Sequence, residues 1–372
     1  MQKVTDNTCD TAAIQPKGEM LDFDCFIEGD SAYDAMLDAI AGARETIRLE
    51  AYIFADDEIG WRFADALAAQ ADRGVSVRVH IDAAGSLFWL SRRLPRYLRE
   101  HGVKIQWYHR IGWSPVRYNR RNHRKILIVD DSVVFLGGLN LHRENSLRVF
   151  GPERWRDTHF AIRGPLVRQA IDLFDALWRH RREPPCAPVG LDDTALITNR
   201  PRRWKHLLRR LYGAAFTSAS SKIYLTTPYL VPDWRTQRGM MAAARRGVDV
   251  RLLVPRQSDS RLALWAAHAA YESLLRRGVR LYEYLPRVLH AKTAVVDGAW
   301  STVGTANLDY RSFFLNYELN LVTADKRMAT ALEKQFLTDL EDAEEVKLKH
   351  WMRRGLPNRV GEFIGWLGRH WL

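Results

Sequence analysis

The spacing His-x-Lys-x-x-x-x-Asp occurs twice in this chain, in NHRKILIVDD at 122–131 and in LHAKTAVVDG at 289–298. The residues are His123, Lys125 and Asp130, then His290, Lys292 and Asp297. With 12 His, 11 Lys and 27 Asp among 372 residues, random placement would give about 0.025 copies. Two copies therefore signal an internal repeat. Seven residues after each Asp a small-residue turn begins and closes on an Asn: Gly137-Gly138-Leu139-Asn140, then Gly304-Thr305-Ala306-Asn307.

The text between the motifs repeats as well. In the first half, ETIRLEAYIF (45–54) reads as a strand and GWRFADALAAQADRG (60–74) as a helix with a Gly stop. VSVRVHID (75–82) is a strand, LSRRLPRYLREHG (90–102) a helix and VKIQWYH (103–109) a strand. The second half has the same order: strand 221–230, helix 235–247, strand 248–255, helix 262–278, strand 279–285, then the second motif. Strands alternating with helices predict an α/β protein of two repeated halves. Each half is expected to be a mostly parallel sheet flanked by helices, with one active site at the interface. The Pro- and charge-rich connection RHRREPPCAPVGLDD (179–193) places the boundary. The expected units are 1–190, 191–345 and a basic, Trp-rich tail at 346–372.

Along a strand, residues i and i+2 share a face. His123 and Lys125 therefore project together, as do His290 and Lys292. An imidazole beside an ammonium suits a phosphate ester, with nucleophile and counter-charge side by side. Histidine suits both nucleophile and general acid because its ordinary pKa is near ~6.5. Two half-sites facing each other would attack a phosphodiester on one side and protonate the leaving oxygen on the other. Asp130 and Asp297 fall where the chain should turn, since Asp297 precedes Gly298. They are expected to tie the site down more than to touch substrate. The small residues at 137–138 and 304–305 would let backbone approach closely. His80, His101, His109 and His268 stand alone and are expected to be structural. No HExxH or clustered Cys/His spacing suggests a metal, and no GxxxxGK[ST] loop suggests a nucleotide. No cofactor is expected.

A net charge of +12 and a pI of about 9.7 favour an anionic partner: a phosphate ester, a nucleic acid or an acidic membrane surface. Three cysteines, Cys9, Cys25 and Cys186, are an odd number and argue against a disulfide framework. No apolar run is long enough to span a bilayer, and the N-terminus lacks a signal-peptide core.

The double motif with its trailing G-x-x-N elements resembles the phospholipase D superfamily, over about residues 25–345. WRDTHFAIRGP (155–165), TTPYLVPD (226–233) and GTANLDYRSFFLNYELN (304–320) look like bacterial cardiolipin synthases, here of the short type without N-terminal membrane helices. Gly-Gly and Gly-Thr stand where Gly-Ser is common in the family. The resemblance implies a metal-independent transfer through a phosphohistidine, with His123 as nucleophile and His290 as acid and then base. It implies Lys125, Lys292, Asn140 and Asn307 as holders of the phosphoryl oxygens. It also implies that Asp157 and Glu318 orient the histidines across the halves, Glu318 with His123 and Asp157 with His290. The implied reaction is transfer of a phosphatidyl group to phosphatidylglycerol, from phosphatidylglycerol or phosphatidylethanolamine, at the cytoplasmic side of the inner membrane with peripheral attachment. A lipid hydrolase or nuclease of the same superfamily is the alternative. No nucleic acid is expected as a partner. A non-catalytic binding scaffold is disfavoured by two complete motifs.

Two segments are candidates for membrane contact. In RVGEFIGWLGRHWL (359–372), Val360, Phe363, Ile364, Leu367 and Trp371 follow helical spacing, but Gly361, Gly365 and Gly368 weaken a free helix. Either a membrane anchor or a core-packed tail fits. In PRRWKHLLRRLYG (201–213) the apolar face of Trp204, Leu207, Leu208, Leu211 and Tyr212 is expected to be core.

Overall fold

A computed structural model describes residues 20–108, 120–181, 189–199 and 206–368. Its first sheet has seven strands: β1 (Asp22–Phe26), β2 (Thr46–Ala51), β3 (Ser76–Asp82), β4 (Lys104–Tyr108), β5 (Ile126–Val129), β6 (Val133–Gly137) and β7 (His159–Arg163). They lie in the order β1-β7-β6-β5-β2-β3-β4. The second sheet has eight: β8 (Ala195–Thr198), β9 (Lys222–Thr226), β11 (Asp249–Pro255), β12 (Arg280–Tyr284), β13 (Thr293–Val296), β14 (Trp300–Gly304), β16 (Leu319–Thr323) and β17 (Ala343–Glu345). Read from β8, its order is β8-β16-β14-β13-β9-β11-β12-β17, the first order repeated with one added edge strand. A short parallel pair, β10 (Leu230–Val231) with β15 (Leu308–Asp309), stands apart.

The α/β class and the two repeated halves hold, but the expected mostly parallel sheet is corrected. Only β2-β3-β4 and β9-β11-β12 run parallel. The motif strands β5 and β6, and β13 and β14, are hairpins, and every other pairing in the two sheets is antiparallel. The strand–helix alternation is real but covers three strands of each sheet. The Asp turn then reverses the chain, and a hairpin needs no crossover helix.

Helices α1 (Gly29–Ala41), α2 (Glu58–Asp72) and α3 (Arg93–Glu100) belong to the first half, and α5 (Leu207–Ser218), α6 (Trp234–Arg245) and α7 (Arg261–Leu275) to the second. They cover the outer faces, each with its own core. α2 ends at Arg73 because Gly74 takes φ +91°, and α6 ends before Gly247 at φ +92°. Leu207, Leu208, Leu211 and Tyr212 are buried in the second core, while Trp204 lies outside the described residues. A third core joins the halves. Leu136, Phe160 and Phe174 from one side meet Val303, Leu319 and Met328 from the other. Here α4 (Pro165–Trp178) and α8 (Lys326–Glu341) pack between the sheets.

The C-terminal helix α9 (Leu356–Gly368) lies along α7. A Cβ on Gly365 would stand 2.3 Å from the Ala266 nitrogen, and one on Gly361 would stand 3.2 Å from the Trp265 ring. The glycines are thus the packed edge. Val360, Phe363, Ile364 and Leu367 are exposed, and Trp371 lies outside the described residues. The lone histidines are structural in kind. His80 is buried against Tyr108 and Trp178, His101 pairs with Asp72 at 2.7 Å, and His268 packs on Tyr271 and Trp351. His109, Cys9 and Cys186 are outside the described residues; Cys25 is a free, partly buried thiol.

Candidate active site

Both motif histidines line one cavity of about 580 Å³, with Asn140, Asn307, Tyr52, Trp155 and Arg311. His123 and His290 sit just ahead of β5 and β13, and their backbones are held by the opposite half. The His123 amide donates to Tyr317 O at 2.9 Å, and the His290 amide donates to Arg156 O at 2.7 Å. The next residue in each case is an acid. Glu318 Oε2 lies 2.9 Å from His123 Nδ1, and Asp157 Oδ2 lies 2.6 Å from His290 Nδ1. The two carboxylates therefore cross between the halves. All four side chains are buried.

Beyond Glu318 in one and Asp157 in the other, the two half-sites differ in the residue beside the acid. Gly138 and Thr305 are equivalent in the repeat. A Cβ on Gly138 would stand 2.0 Å from Asp157 Oδ1, so this glycine makes room for the carboxylate. Thr305 instead donates its hydroxyl to Glu318 Oε2 at 2.6 Å. Its carbonyl, 3.1 Å from His123 Nδ1, can only accept. The His123 proton therefore sits on Nδ1 and leaves the Nε2 lone pair free. Gly138→Ala should push Asp157 off His290 and lower turnover about a hundredfold, since misplacement near 1 Å has that scale. A wild-type rate with an unshifted melting temperature would show that the carboxylate needs no such space.

Lys125 and Lys292 are buried, each donating to the carbonyl of the histidine two residues before it, Lys125 at 2.9 Å. Lys125 also stands 4.9 Å from the Tyr52 ring centroid, and that ring packs edge-on against His123. Burial, reinforced by the Lys292 charge, brings the Lys125 ammonium down to about 7. Burial brings Lys292 down to about 8 against the pull of Asp157. Burial and then Lys292 press His290 to about 4, and burial lowers His123 despite Glu318. Burial works to raise both carboxyls. The facing His123 for Glu318, and Lys292 with His290 for Asp157, outweigh it and hold both acids below their ordinary range. The site thus concentrates cations whose charge is poorly solvated, which an incoming anion would relieve.

Asn140 Oδ1 and Asn307 Oδ1 are buried without a hydrogen-bond partner, and both residues line the cavity. Asn307 Nδ2 reaches Asp309 at 3.2 Å. Asp130 and Asp297 do not join the cavity group. Each takes a positive φ, 46° and 53°, at its hairpin turn. Asp130 accepts from the amides of Arg44, Glu45 and Thr46; Asp297 accepts from Ser220, Ser221 and Lys222. They clamp the motif hairpin to the start of β2 or β9. Both act as anchors, because their oxygens are engaged by main-chain amides, and for Asp297 also by the Ser220 and Ser221 hydroxyls, at the far end of the strand.

Sequence reasoning missed Tyr229, whose hydroxyl donates to Asp259 at 2.6 Å, and Arg311, both lining the cavity. Tyr229 sits in TTPYLVPD and Arg311 in NLDYRSFF, stretches singled out for other reasons. Asp259 carries no sequence signal.

The family model for the cardiolipin synthase, phospholipase D-like domain matches residues 36–178 and 212–340. The chain belongs to the phospholipase D-like cardiolipin synthase family. It is 35% identical to cardiolipin synthase 2 of Bacillus anthracis, over 90% of this chain and 67% of that one. It is 32% identical to the cardiolipin synthase of Clostridium perfringens, over 92% of this chain and 75% of that one. Among solved structures, phosphatidylserine synthase of Haemophilus influenzae shares the fold, with a TM-score of 0.71 at 15% identity, covering 93% of this chain and 91% of that one. Polyphosphate kinase of Porphyromonas gingivalis aligns at a TM-score of 0.61 and 14% identity, over 94% of this chain and 53% of the kinase. At these identities the family likeness to solved structures concerns the fold alone.

Proposed function

We propose that this family member is a cardiolipin synthase that transfers a phosphatidyl group to phosphatidylglycerol through a phosphohistidine at His123. The observation that carries the reading is the pair of crossed His–carboxylate dyads, whose two histidines line one cavity and each have a buried lysine two residues on. Lys125, Lys292, Asn140 and Asn307 hold the phosphoryl oxygens. His123 Nε2 attacks phosphorus, the N–P bond forms and the bond to the first alcohol breaks. His290 Nε2 gives that alcohol its proton. The hydroxyl of the acceptor phosphatidylglycerol then surrenders its proton to His290 and attacks phosphorus, which breaks the N–P bond. Glu318 and Asp157 position the imidazoles and stabilise their positive charge. His123 is assigned the attack because its Nδ1–H is fixed by an acceptor carbonyl. His290 gains its proton when the phosphate's negative charge enters and offsets the burial that keeps it neutral.

No helix among the described residues is long and apolar enough to cross a membrane. Attachment is proposed to be peripheral, at the cytoplasmic side of the inner membrane. The protruding Phe88, 91% exposed on the rim of the cavity, supports a lipid route to the site.

The test is to incubate the purified protein with EDTA in phosphatidylglycerol vesicles, with and without phosphatidylethanolamine, and read the lipids by mass spectrometry. Cardiolipin is expected, and its dependence on phosphatidylethanolamine identifies the donor. Phosphatidic acid alone would make it a hydrolase, and plasmid cleavage in EDTA a nuclease. The lysines also set a pH dependence. Their ammonium forms bind phosphate, and their free-enzyme values near about 7 and about 8 make kcat/KM fall as pH rises through that window. A flat profile from roughly pH 6 to 9 would remove the lysines from substrate binding.

A further inference from the structure

A second cavity, of about 390 Å³, lies between α6, α7 and α9 and is lined by Val231, Trp234, Ala266, Ala269, Tyr310 and Trp366, among others. Its carboxylate and its amide are already engaged. Asp233 caps α6 and pairs with Arg209 at 3.2 Å, and Gln237 donates to Pro232 O at 3.1 Å. An occupant therefore gains from being apolar. The cavity adjoins the catalytic one along two elements. Ser260, the N-cap of α7, and Ala263 on α7 line the catalytic cavity, and Ala266 lines this one, three residues or about 4.5 Å beyond Ala263. Asp309 and Tyr310 are consecutive, one in each cavity.

The mouth opens on an apolar face. Trp234 and Trp366 are 59% and 47% exposed. The exposed row of α9, Val360, Phe363, Ile364 and Leu367, continues that face. The glycine edge on α7 fixes its outward orientation. Arg235 and Arg238 flank the Trp234 ring at 5.4 and 5.2 Å, cations placed where an anionic lipid surface would meet them.

We infer that this second cavity takes one acyl chain of a phospholipid whose phosphate occupies the catalytic cavity, and that the α9 face seats its mouth on an anionic bilayer. The inference rests on the phospholipid reading of the catalytic site. It differs from a bare anchor because it makes chain length a determinant of selectivity. Ala269→Phe fills the cavity. The preference for sixteen-carbon over six-carbon phosphatidylglycerol, as a ratio of kcat/KM, should fall about tenfold. An unchanged ratio, with both rates equally reduced or equally intact, would sink the idea.

A binding measurement keeps the test independent of turnover and of that variant's folding. Phosphatidylglycerol vesicles with brominated acyl chains should quench tryptophan emission of the full chain, and of His123→Ala equally. Trp366→Phe should remove a measurable part of the quenching. Equal quenching with and without Trp366 would overturn the inference. So would sedimentation showing a dimer that Ile364→Glu dissociates, since a second copy would then cover the face. If the protein makes no cardiolipin yet Trp366 is quenched, the transferase reading fails and the acyl site stands.

Discussion

His123→Ala should abolish cardiolipin formation, lowering turnover by about four to six orders of magnitude, the scale for removing a nucleophile that works as one unit with its base. The paired variant separates the roles. With phosphatidylglycerol, His290→Ala should be nearly as impaired, because the alcohol leaving group needs a proton. With an aryl phosphodiester, whose leaving group needs none, His290→Ala should release about one equivalent of phenolate and stall as a phosphohistidine. Peptide mapping should place that phosphate on His123. Phosphate mapped to His290 in the unaltered protein would reverse the assignment. Stoichiometric phenolate release from His123→Ala would do the same.

The second large effect concerns the crossed acids. Glu318→Gln retains the volume and a partner for the Thr305 hydroxyl, but removes the charge facing His123. Turnover should fall about 10³–10⁴-fold, by analogy with neutralising the acid behind a catalytic histidine. The loss should appear in phosphohistidine formation itself, even with the aryl substrate. Asp157→Asn should leave that step largely intact with the aryl substrate and slow the reaction of phosphatidylglycerol. If Glu318→Gln formed phosphohistidine at the normal rate, the assignment of Glu318 to the attacking histidine would be wrong. A double variant no slower than the worse single one would show that both acids serve one step.

The histidines and lysines were legible because a fixed spacing along one short stretch puts them together whatever surrounds them. Glu318 and Asp157 were not readable from spacing. They lie 195 and 133 residues from their histidines, and only the family resemblance proposed them. Thr305 read as a small turn residue, whereas its hydroxyl bonds Glu318. A side chain's direction is set by the close approach of β14 to β16, which the local text does not carry. Sheet polarity failed for a related reason. Helix–strand alternation is visible along the chain, but the hairpin at Asp130 changes direction within three residues. For α9, apolar spacing predicted the helix. Its packing was hidden because the buried edge is made of glycines, which carry no hydrophobic signal of their own.

The seam of a duplicated protein is ordinarily where it yields first, and many bilobal enzymes admit substrate by hinging there. This seam is different in kind. The amides of His123 and His290 are bonded to Tyr317 and Arg156 of the opposite half, one residue from each acid. Arg156 in turn grips Asp339 through two bonds, 3.1 and 2.9 Å. Parting the halves would dismantle both dyads before it widened the entrance. Traffic of lipids must therefore pass over the rim while the joint stays shut, and the joint should be among the last regions to exchange its amide hydrogens. The molecule behaves less like a jaw than like a keystone, whose two faces are sound only while pressed together.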